Sequence, residues 1–313
     1  MSSFHLPVIG GTIDIMTPFL LAAIGGLYSS LAGVLNIALE GLMIFSAFFS
    51  IVVTVATGNL FLGIAGGVLA TLLLTALFGF IALGLRANIF ICGLATNLLA
   101  AALSIVLSFS FYGQTGSVNF PDMPVLQPVR MPFLQSVPVL GDVIANHNIL
   151  VYVSWMLLAA SSLIIYRTPF GMRLRAVGHN AKASFALGIN PGRYQFVSLL
   201  ISGFACALGG AVLTLTLGAF VPNVSSGRGW IALVIIYLGR RTPIGILIGS
   251  VTFGLVEFIS NYLQVASDIP SGLLLAMPFF VTVIALIVYS LIESNIRKGR
   301  SLHARKMVVS RPG

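Results

Sequence analysis

Apolar runs long enough to cross a membrane recur along almost the whole chain. A helix needs about 20 predominantly apolar residues to span the ~30 Å hydrocarbon core of a bilayer, and eight runs meet this requirement. Only 7% of the 313 residues are charged, whereas a soluble domain carries about 25%. The chain is therefore predicted to be an integral membrane protein with spans at 12–35, 37–57, 60–83, 89–111, 149–166, 194–217, 244–265 and 272–291.

A ninth apolar run, residues 230–238, is too short to cross a bilayer. The sequence SSGRG precedes it and GRRTPIG follows it. Irregular backbone at membrane depth is tolerated only where it is shielded from lipid, so we interpret this run as a re-entrant half-helix packed within protein. The sequence thus predicts an all-α, polytopic transmembrane bundle of eight full spans plus a re-entrant half-helix, forming one domain over residues 1–313.

The positions of the basic residues indicate how the chain is oriented. The formal net charge is +9, but no Lys or Arg occurs before Arg86 and most of them cluster at 167–193 and 297–311. Such clusters are typical of cytoplasmic loops, and they argue against a nucleic-acid partner. We predict an external N-terminus with a retained first span, an external loop at 112–148, a cytoplasmic loop at 167–195 and a cytoplasmic tail at 294–313.

The loop at 167–195 has the marks of a short helix at its centre. It holds five of the sixteen Lys and Arg residues and no acid. Asn180 is a suitable N-cap for a helix over 181–187, and Gly188 fits the left-handed position after its end. Charge placement alone would explain the basic residues but not a capped helix, to which Phe185 adds an apolar contact. We interpret the segment as a docking element for a soluble partner.

The sequence contains none of the common catalytic patterns. GxxxxGK[ST], HExxH and GxSxG do not occur, and the Cys and His residues do not cluster at ligand spacing. We therefore expect neither an enzyme nor a metal or cofactor bound by this chain. An intramembrane enzyme acting on lipid or peptide is the alternative that turnover by the purified chain would support.

Several polar side chains fall within or beside the predicted spans, where an ionisable group costs roughly 3 kcal/mol or more unless it faces a partner or water. Glu40 follows Asn36 by one helical turn near the start of the second span, and Asn97 lies inside the fourth. Glu257 and Asn261 share one helix face. These residues either line a solute path or lock helices together through hydrogen bonds, and the sequence leaves both interpretations open.

Three stretches resemble a known family of membrane proteins. FGMRLRAVGHNAKASFALGINPGRYQ, followed by SGFACALGGA, resembles the cytoplasmic coupling segment of ABC-importer permeases in the branched-chain amino acid, ribose and simple-sugar superfamily. VLNIALEGLMIFSAFFS, with its NIxLEG pattern, and GRGWIALVIIYLGRRTPIGILIGSVTFG resemble the nucleoside and simple-sugar branch. Little of the chain lies outside this resemblance, apart from the external loop and the ends.

The resemblance implies a multi-pass permease subunit of a type II ABC importer for nucleosides in a bacterial inner membrane. It also implies a second permease chain in a heterodimer, ATP-binding subunits that carry ATP and Mg²⁺, and an extracytoplasmic solute-binding lipoprotein. Asn36, Glu40 and Gly41 match the family's span-junction pattern. The residues that match its coupling pattern are Gly171, Arg173, Arg175, Ala176, Gly178, Asn180, Ala183, Gly188 and Ile189.

Two alternatives concern the cargo and the energy source. A permease for ribose or another simple sugar is separated from a nucleoside permease only by its resemblance to one branch. A secondary transporter driven by protons or sodium needs intramembrane ionisable groups or unwound carbonyl sites. The short run at 230–238 is compatible with such a transporter, but the scarcity of acidic residues argues against it.

Overall fold

The computed structural model describes residues 2–129, 145–266 and 270–287, and most of them are helical. These residues fall into two compact units, one ending at Phe258 and one beginning at Ile259. The helix Leu60–Gly79 continues into a π-helical turn, Phe80–Gly84. The described helices are α1 (Ser2–Leu31), α2 (Leu39–Thr57), α3 (Leu60–Gly79), α4 (Ile89–Tyr112), α5 (Ile149–Arg167), α6 (Pro169–His179), α7 (Ala181–Ala186), α8 (Pro191–Leu217), α9 (Arg228–Leu238), α10 (Pro243–Ala266) and α11 (Ser271–Leu275).

Seven helices in the described part of the chain are long and apolar enough to cross a membrane, so a multi-pass membrane protein is confirmed but eight full spans are not. The eighth predicted span, 272–291, is described only as the shorter apolar stretch Gly272–Ile287. The rest of that span and the predicted tail at 294–313 lie outside the described residues. The seven helices are Val8–Leu31, Leu39–Thr57, Leu60–Gly84, Ile89–Tyr112, Ile149–Arg167, Pro191–Leu217 and Pro243–Ala266.

The apolar stretch Gly272–Ile287 in the second unit is interrupted soon after it begins. α11 ends at Leu275, and Ala276 forms a turn before helical structure resumes. Pro278 follows closely, and a proline has no N–H with which to continue the helical ladder. The carbonyl of Leu274, which Pro278 leaves without its usual helical donor, accepts the hydroxyl of Ser260 instead. This proline is the physical reason why the stretch does not form one uninterrupted span.

Three helices form the centre of the first unit. In the most apolar 18-residue stretch of α1, α2 and α8, 67%, 72% and 67% of the residues are buried within the chain. In the corresponding stretches of α3, α4 and α5, only 28% are buried. α8 packs against α1, α2 and α3, and α4 packs on α2. A helix that is apolar on all sides has no preferred face in sequence, so its position at the centre or the lipid boundary follows from these contacts.

Small residues let the central helices approach closely. A Cβ on Gly210 of α8 would lie 2.2 Å from the carbonyl oxygen of Met43 on α2. On α3, a Cβ on Gly67 would lie 1.9 Å from the hydroxyl of Ser50. Such approaches are typical of membrane helix interfaces, where packing replaces a hydrophobic driving force between helices.

Two very short strands, which the all-α prediction missed, tie the loop after α4 to the end of α8. β1 (Val118–Asn119) pairs antiparallel with β2 (Ala219–Phe220). The N–H of Leu126 donates to the carbonyl of Leu215 at 2.9 Å, which holds the following residues on α8. The described parts of the predicted external loop are thus packed against the bundle, while residues 130–144 of that loop lie outside the described residues.

The contacts define two ends of the first unit. At one end, here called the α6–α7 end, Gln195 near the start of α8 donates to the carbonyl of Ala32 just after α1 at 3.4 Å. At the other, the ribbon end, lie β1, β2 and the beginning of α5. There the Nδ1 atom of His147 lies 2.8 Å from Asp14 of α1. The central helices therefore connect the two ends directly.

Candidate functional site

The basic segment 167–195 folds into two short helices, α6 and α7. Thr168 caps α6, because its hydroxyl oxygen accepts the N–H of Gly171 at 3.2 Å. Pro169 occupies the first helical position, where its missing N–H would have no helical partner anyway. Only α7 was predicted from the sequence, although a Thr directly before a Pro is a recognisable start of a helix.

The N-terminus of α7 has the predicted cap. The side-chain oxygen of Asn180 accepts the N–H of Ala183 at 3.0 Å. The helix extends to Ala186, one residue short of the predicted end at 187. A helix of this length is marginal in isolation, so its caps and its attachment to α6 are what keep it folded.

The C-terminus of α7 is closed by a Schellman motif. The N–H of Gly188 donates to the carbonyl of Phe185 and that of Ile189 to the carbonyl of Ser184, both at 3.0 Å. This pair of bonds defines the motif, and it requires a left-handed residue after the helix. Gly188 supplies that conformation with φ +79°, as predicted.

Two residues of the predicted coupling pattern bring α6 against the bundle. A Cβ on Gly171 would lie 2.2 Å from the carbonyl oxygen of Ile164 on α5. A Cβ on Gly178 would lie 2.0 Å from the carbonyl oxygen of Leu31 at the end of α1. Only glycine permits both approaches, so α6 is in direct backbone contact with two spanning helices.

α7 presents apolar side chains to the outside of the chain. Phe185 is 70% exposed and Leu187 is 81% exposed. Both side chains therefore make little contact with the rest of the described chain. Arg175 and Ile189 are half-buried. The other predicted coupling residues that are exposed are Arg173, Ala176, Gly178, Asn180, Ala183 and Gly188.

Two arginines of α6 contact aromatic residues at the helix boundaries. Arg173 donates to the hydroxyl of Tyr194 at 3.4 Å, and this contact raises the pKa of the guanidinium above its ordinary value. The guanidinium of Arg175 lies 5.2 Å from the ring centre of Tyr166 at the end of α5. These contacts hold both guanidinium groups beside the ends of the neighbouring helices α8 and α5.

A second polar site surrounds Glu40 in the first turn of α2. Its carboxylate accepts the hydroxyl of Ser225 at 2.5 Å and the N–H groups of Gly227 at 2.8 Å and Gly229 at 2.7 Å. These donors form the N-terminus of α9, where the helix dipole favours a negative charge. The buried carboxylate of Glu40 thus fixes the start of the short helix.

Glycine is required where α9 meets α2. A Cβ on Gly229 would lie 2.4 Å from the backbone nitrogen of Glu40. Gly227 has φ +84°, in the left-handed region that favours glycine. The sequence predicted a half-helix at 230–238, and the structure places its start at Arg228.

Two buried asparagines hold the segment between α1 and α2. Asn97 donates to the carbonyl of Ile37 at 2.9 Å and accepts the N–H of Gly41 at 2.7 Å. Asn36 donates to the hydroxyl of Ser202 on α8 at 2.9 Å. Both side-chain amides are engaged within the bundle, which is the arrangement expected for locking helices together.

Glu257 has a charged partner that was not predicted from the sequence. Its carboxylate accepts a hydrogen bond from Arg228, the first residue of α9, and the two side chains form an ion pair. Arg228 also donates to the carbonyl of Val224 at 3.0 Å. One sequence feature singles out Arg228 as a candidate partner, since it is the single basic residue between Arg193 and Arg240. Asn261 lies exposed on α10 in the second unit.

A cavity of about 500 Å³ opens beside Arg228 at the ribbon end. Its polar lining includes Asp14, an acid inside the first predicted span that was not among the predicted site residues. Its apolar lining includes Pro18 and Val221. The volume and the mixture of surfaces suit a small polar ligand. The remaining polar lining residues are Asn146, Asn148, Thr216 and Ser226.

Four of the predicted solute-path residues, Asn36, Glu40, Asn97 and Glu257, do not line this cavity. Asn36, Glu40 and Asn97 are bonded inside the bundle, and Glu257 reaches the cavity wall only through Arg228. A direct role in the solute path stays a prediction for all of them and for Asn261. Among the described residues, no three His, Cys, Asp or Glu side chains gather where they could hold a metal ion.

The match to a protein family agrees with this geometry. The family described as "Branched-chain amino acid transport system / permease component" matches residues 9–287. The chain belongs to this family of permeases. The match confirms the resemblance seen in the three sequence motifs, and it makes the permease a component of a transport system.

Two curated relatives are similar to the permease over nearly their whole length. The nucleoside ABC transporter permease protein NupC of Lactococcus lactis is 30% identical over 90% of this chain and 92% of that protein. The guanosine ABC transporter permease protein NupQ of Bacillus subtilis is 32% identical over 89% of this chain and 90% of that protein. The putative glucose permease TsgC13 of Haloferax volcanii is 29% identical over 85% of this chain and 81% of that protein.

One solved structure shares the fold of the permease. It is described as an inward-facing conformation of a putative metal-chelate type ABC transporter. The TM-score is 0.52 at 18% identity, with 92% of this chain and 86% of that chain covered. At this level of identity the likeness concerns the helical arrangement alone.

Proposed function

We propose that the permease is the membrane subunit of an ATP-driven importer of nucleosides. The observation that carries the proposal is that two relatives at 30% and 32% identity, each covered over at least 90% of its length, are named as nucleoside and guanosine permeases. The chain has no phosphate-binding loop. ATP and Mg²⁺ therefore belong to a separate ATP-binding subunit.

The α6–α7 end supports the docking of such a subunit. α7 combines caps at both ends with exposed apolar side chains, and the basic segment around it holds no acid. A partner with an apolar pocket and an acidic rim would complement this surface. The surface is on the side of the membrane that the basic loops predict to be cytoplasmic.

The contacts of α6 provide a route from the docking surface to the bundle. Because Gly171 and Gly178 bring α6 into backbone contact with α5 and α1, a displacement of α7 is transmitted to two spanning helices. Both of those helices reach the cavity or the residues beside it at the ribbon end. The partner must bind one arrangement better than the other to supply the coupling energy.

The cavity at the ribbon end is our candidate for the place that receives the solute. The hydrogen-bonding groups of its lining suit the hydroxyls of a ribose, and its apolar residues suit the face of a base. We expect an extracytoplasmic solute-binding protein to deliver the nucleoside there and a second permease chain to complete the importer. The proposal adds Asp14 and Arg228 to the solute-path residues predicted from the sequence.

Competition of uptake tests the cargo. In cells that depend on this permease for uptake, radiolabelled guanosine accumulation should be inhibited by unlabelled adenosine and guanosine but not by ribose or glucose at the same concentration. It should also stop when ATP is depleted. If unlabelled ribose or glucose suppresses this accumulation as strongly as unlabelled guanosine does, the nucleoside assignment is overturned.

A simple-sugar importer is the second candidate, because the Haloferax volcanii relative at 29% identity is named as a putative glucose permease. The same competition experiment separates the two, since glucose would then be the stronger competitor. Uptake that survives ATP depletion and fails with a proton uncoupler would instead favour the ion-coupled alternative.

A further inference from the structure

A basic groove lies between α6 and the start of α8. It has a volume of about 480 Å³. Arg173 and Arg193 contribute two guanidinium groups to its wall, and Asn190 adds an amide. The arginines are exposed, and their segment contains no acidic residue to neutralise them. The groove therefore offers two positive charges to an anion.

An apolar cleft of about 540 Å³ lies above this groove, between α5 and α8 with α1 as its floor. Of the described residues that line it, three are polar: Tyr28, Ser161 and Thr168. The hydroxyl of Thr168 donates to the carbonyl of Ile164 at 2.6 Å, so this donor is already satisfied inside the chain. The other nine lining residues are apolar, so the cleft offers mainly apolar contact to a ligand.

The groove and the cleft are neighbours that share a wall. Phe170 and Val197 line both of them. Tyr166 and Tyr194 lie at the corresponding ends of α5 and α8, and aromatic residues of this kind mark the headgroup level of a membrane. The two spaces thus meet at the depth where a lipid headgroup joins its acyl chains.

We propose that the permease binds one anionic phospholipid at this place. The phosphate group lies against Arg173 and Arg193, since guanidinium groups pair with phosphate oxygens through charge-assisted hydrogen bonds. An acyl chain fills the cleft between α5 and α8. Basic pockets between spanning helices on the cytoplasmic side are suited to this class of lipid.

A lipid explains both spaces, which a soluble anion or a protein partner does not. A free phosphate would occupy the groove but leave the cleft empty. An ATP-binding subunit would reach the exposed side of α7, but the cleft lies at membrane depth. The position beside α6 also places the lipid where it would affect the coupling segment, so the site is a candidate for regulation of transport by membrane composition.

Lipid retention by the purified importer provides the test. The complex is extracted in mild detergent from membranes that contain phosphatidylglycerol and phosphatidylcholine, and co-purified lipid is counted by mass spectrometry. We expect about one phosphatidylglycerol per permease chain and a decrease of about tenfold when Arg173→Gln and Arg193→Gln are combined, because each basic group near a surface adds to anionic lipid binding. The charge-matched control combines Lys182→Gln with Arg240→Gln, outside the groove, and should retain the lipid.

A second pair of variants tests the acyl-chain cleft without removing charge. Ala160→Phe fills the cleft, whereas Ala159→Phe places the same ring on the exposed side of α5. We expect only Ala160→Phe to lose phosphatidylglycerol. Retention of phosphatidylcholine by the unaltered complex to the same extent as phosphatidylglycerol would overturn the proposal. So would equal retention of phosphatidylglycerol by the Arg173/Arg193 and Lys182/Arg240 double variants, or displacement of the lipid by glycerol 3-phosphate in the buffer.

Discussion

The carboxylate of Glu40 accepts the backbone N–H of Gly229 at 2.7 Å, which joins the first turn of α2 to the first turn of α9. Gly227 donates to the other carboxylate oxygen at 2.8 Å. The partial positive charge of the α9 N-terminus balances the negative charge of the side chain. A helix too short to cross the membrane is therefore fixed at its start by a residue nearly 190 positions earlier in the chain.

Removal of the Glu40 carboxylate should destabilise the permease. Glu40→Ala leaves Gly227, Gly229 and Ser225 without their acceptor, and each unsatisfied buried donor costs about 1–3 kcal/mol. We expect a clearly lower thermal unfolding midpoint of the purified protein, with a smaller decrease for Glu40→Gln, which keeps one acceptor. The control is Asp122→Asn, an exposed acid. Equal midpoints for Glu40→Ala and Asp122→Asn would show that the carboxylate does not hold α9.

Asn97 should behave as a structural residue in the same kind of measurement. Asn97→Leu leaves the carbonyl of Ile37 and the N–H of Gly41 without partners in the interior. At about 1–3 kcal/mol for each unsatisfied group, we expect a lower unfolding midpoint and less folded protein in the membrane. Asn261→Leu, at an exposed position, is the control. An unaltered midpoint combined with reduced uptake would assign Asn97 to the solute path instead.

Features set by neighbouring residues could be predicted from the sequence. The apolar runs predicted seven of the spanning helices, because length and composition alone decide whether a helix can cross a bilayer. The caps of α7 were also predictable, since Asn180 and Gly188 act on backbone groups within a few residues. α6 was missed although Thr168 and Pro169 carry the same kind of local information.

Features that depend on distant partners could not be predicted in this way. The strands β1 and β2 contain two residues each and exist because Val118 pairs with Phe220. The polar pattern on α10 identified Glu257, but its partner Arg228 lies 29 positions earlier in the chain, beyond the reach of a pattern within one helix. The interpretation of Glu40 stayed open for the same reason, because its donors belong to a loop and helix that follow α8 in the chain.

The conformation of Gly188 should matter more for coupling than for assembly. A β-branched residue at φ +79° is strained, so Gly188→Val should distort the Schellman motif and move α7. We expect the assembled importer to hydrolyse ATP with reduced uptake, measured as solute transported per ATP consumed in proteoliposomes. Gly188→Asn is the matched control, since Asn tolerates the left-handed conformation. Wild-type stoichiometry in the Val variant would contradict a coupling role for α7.

The ion pair between Arg228 and Glu257 should reveal itself through the non-additivity of two substitutions. Both side chains are largely buried, and removal of one partner leaves the other charge without compensation. We therefore expect Arg228→Met and Glu257→Met each to lower the unfolding midpoint, and the double variant to recover part of the loss, because paired neutral groups avoid the cost of an isolated charge. The coupling energy expected for residues in contact is about 0.5–3 kcal/mol. Additive losses would mean that each charge is stabilised by other groups. If the double variant folds but imports poorly, the remaining defect reports on Arg228 in the cavity wall, because stability and transport are then affected by different members of the pair.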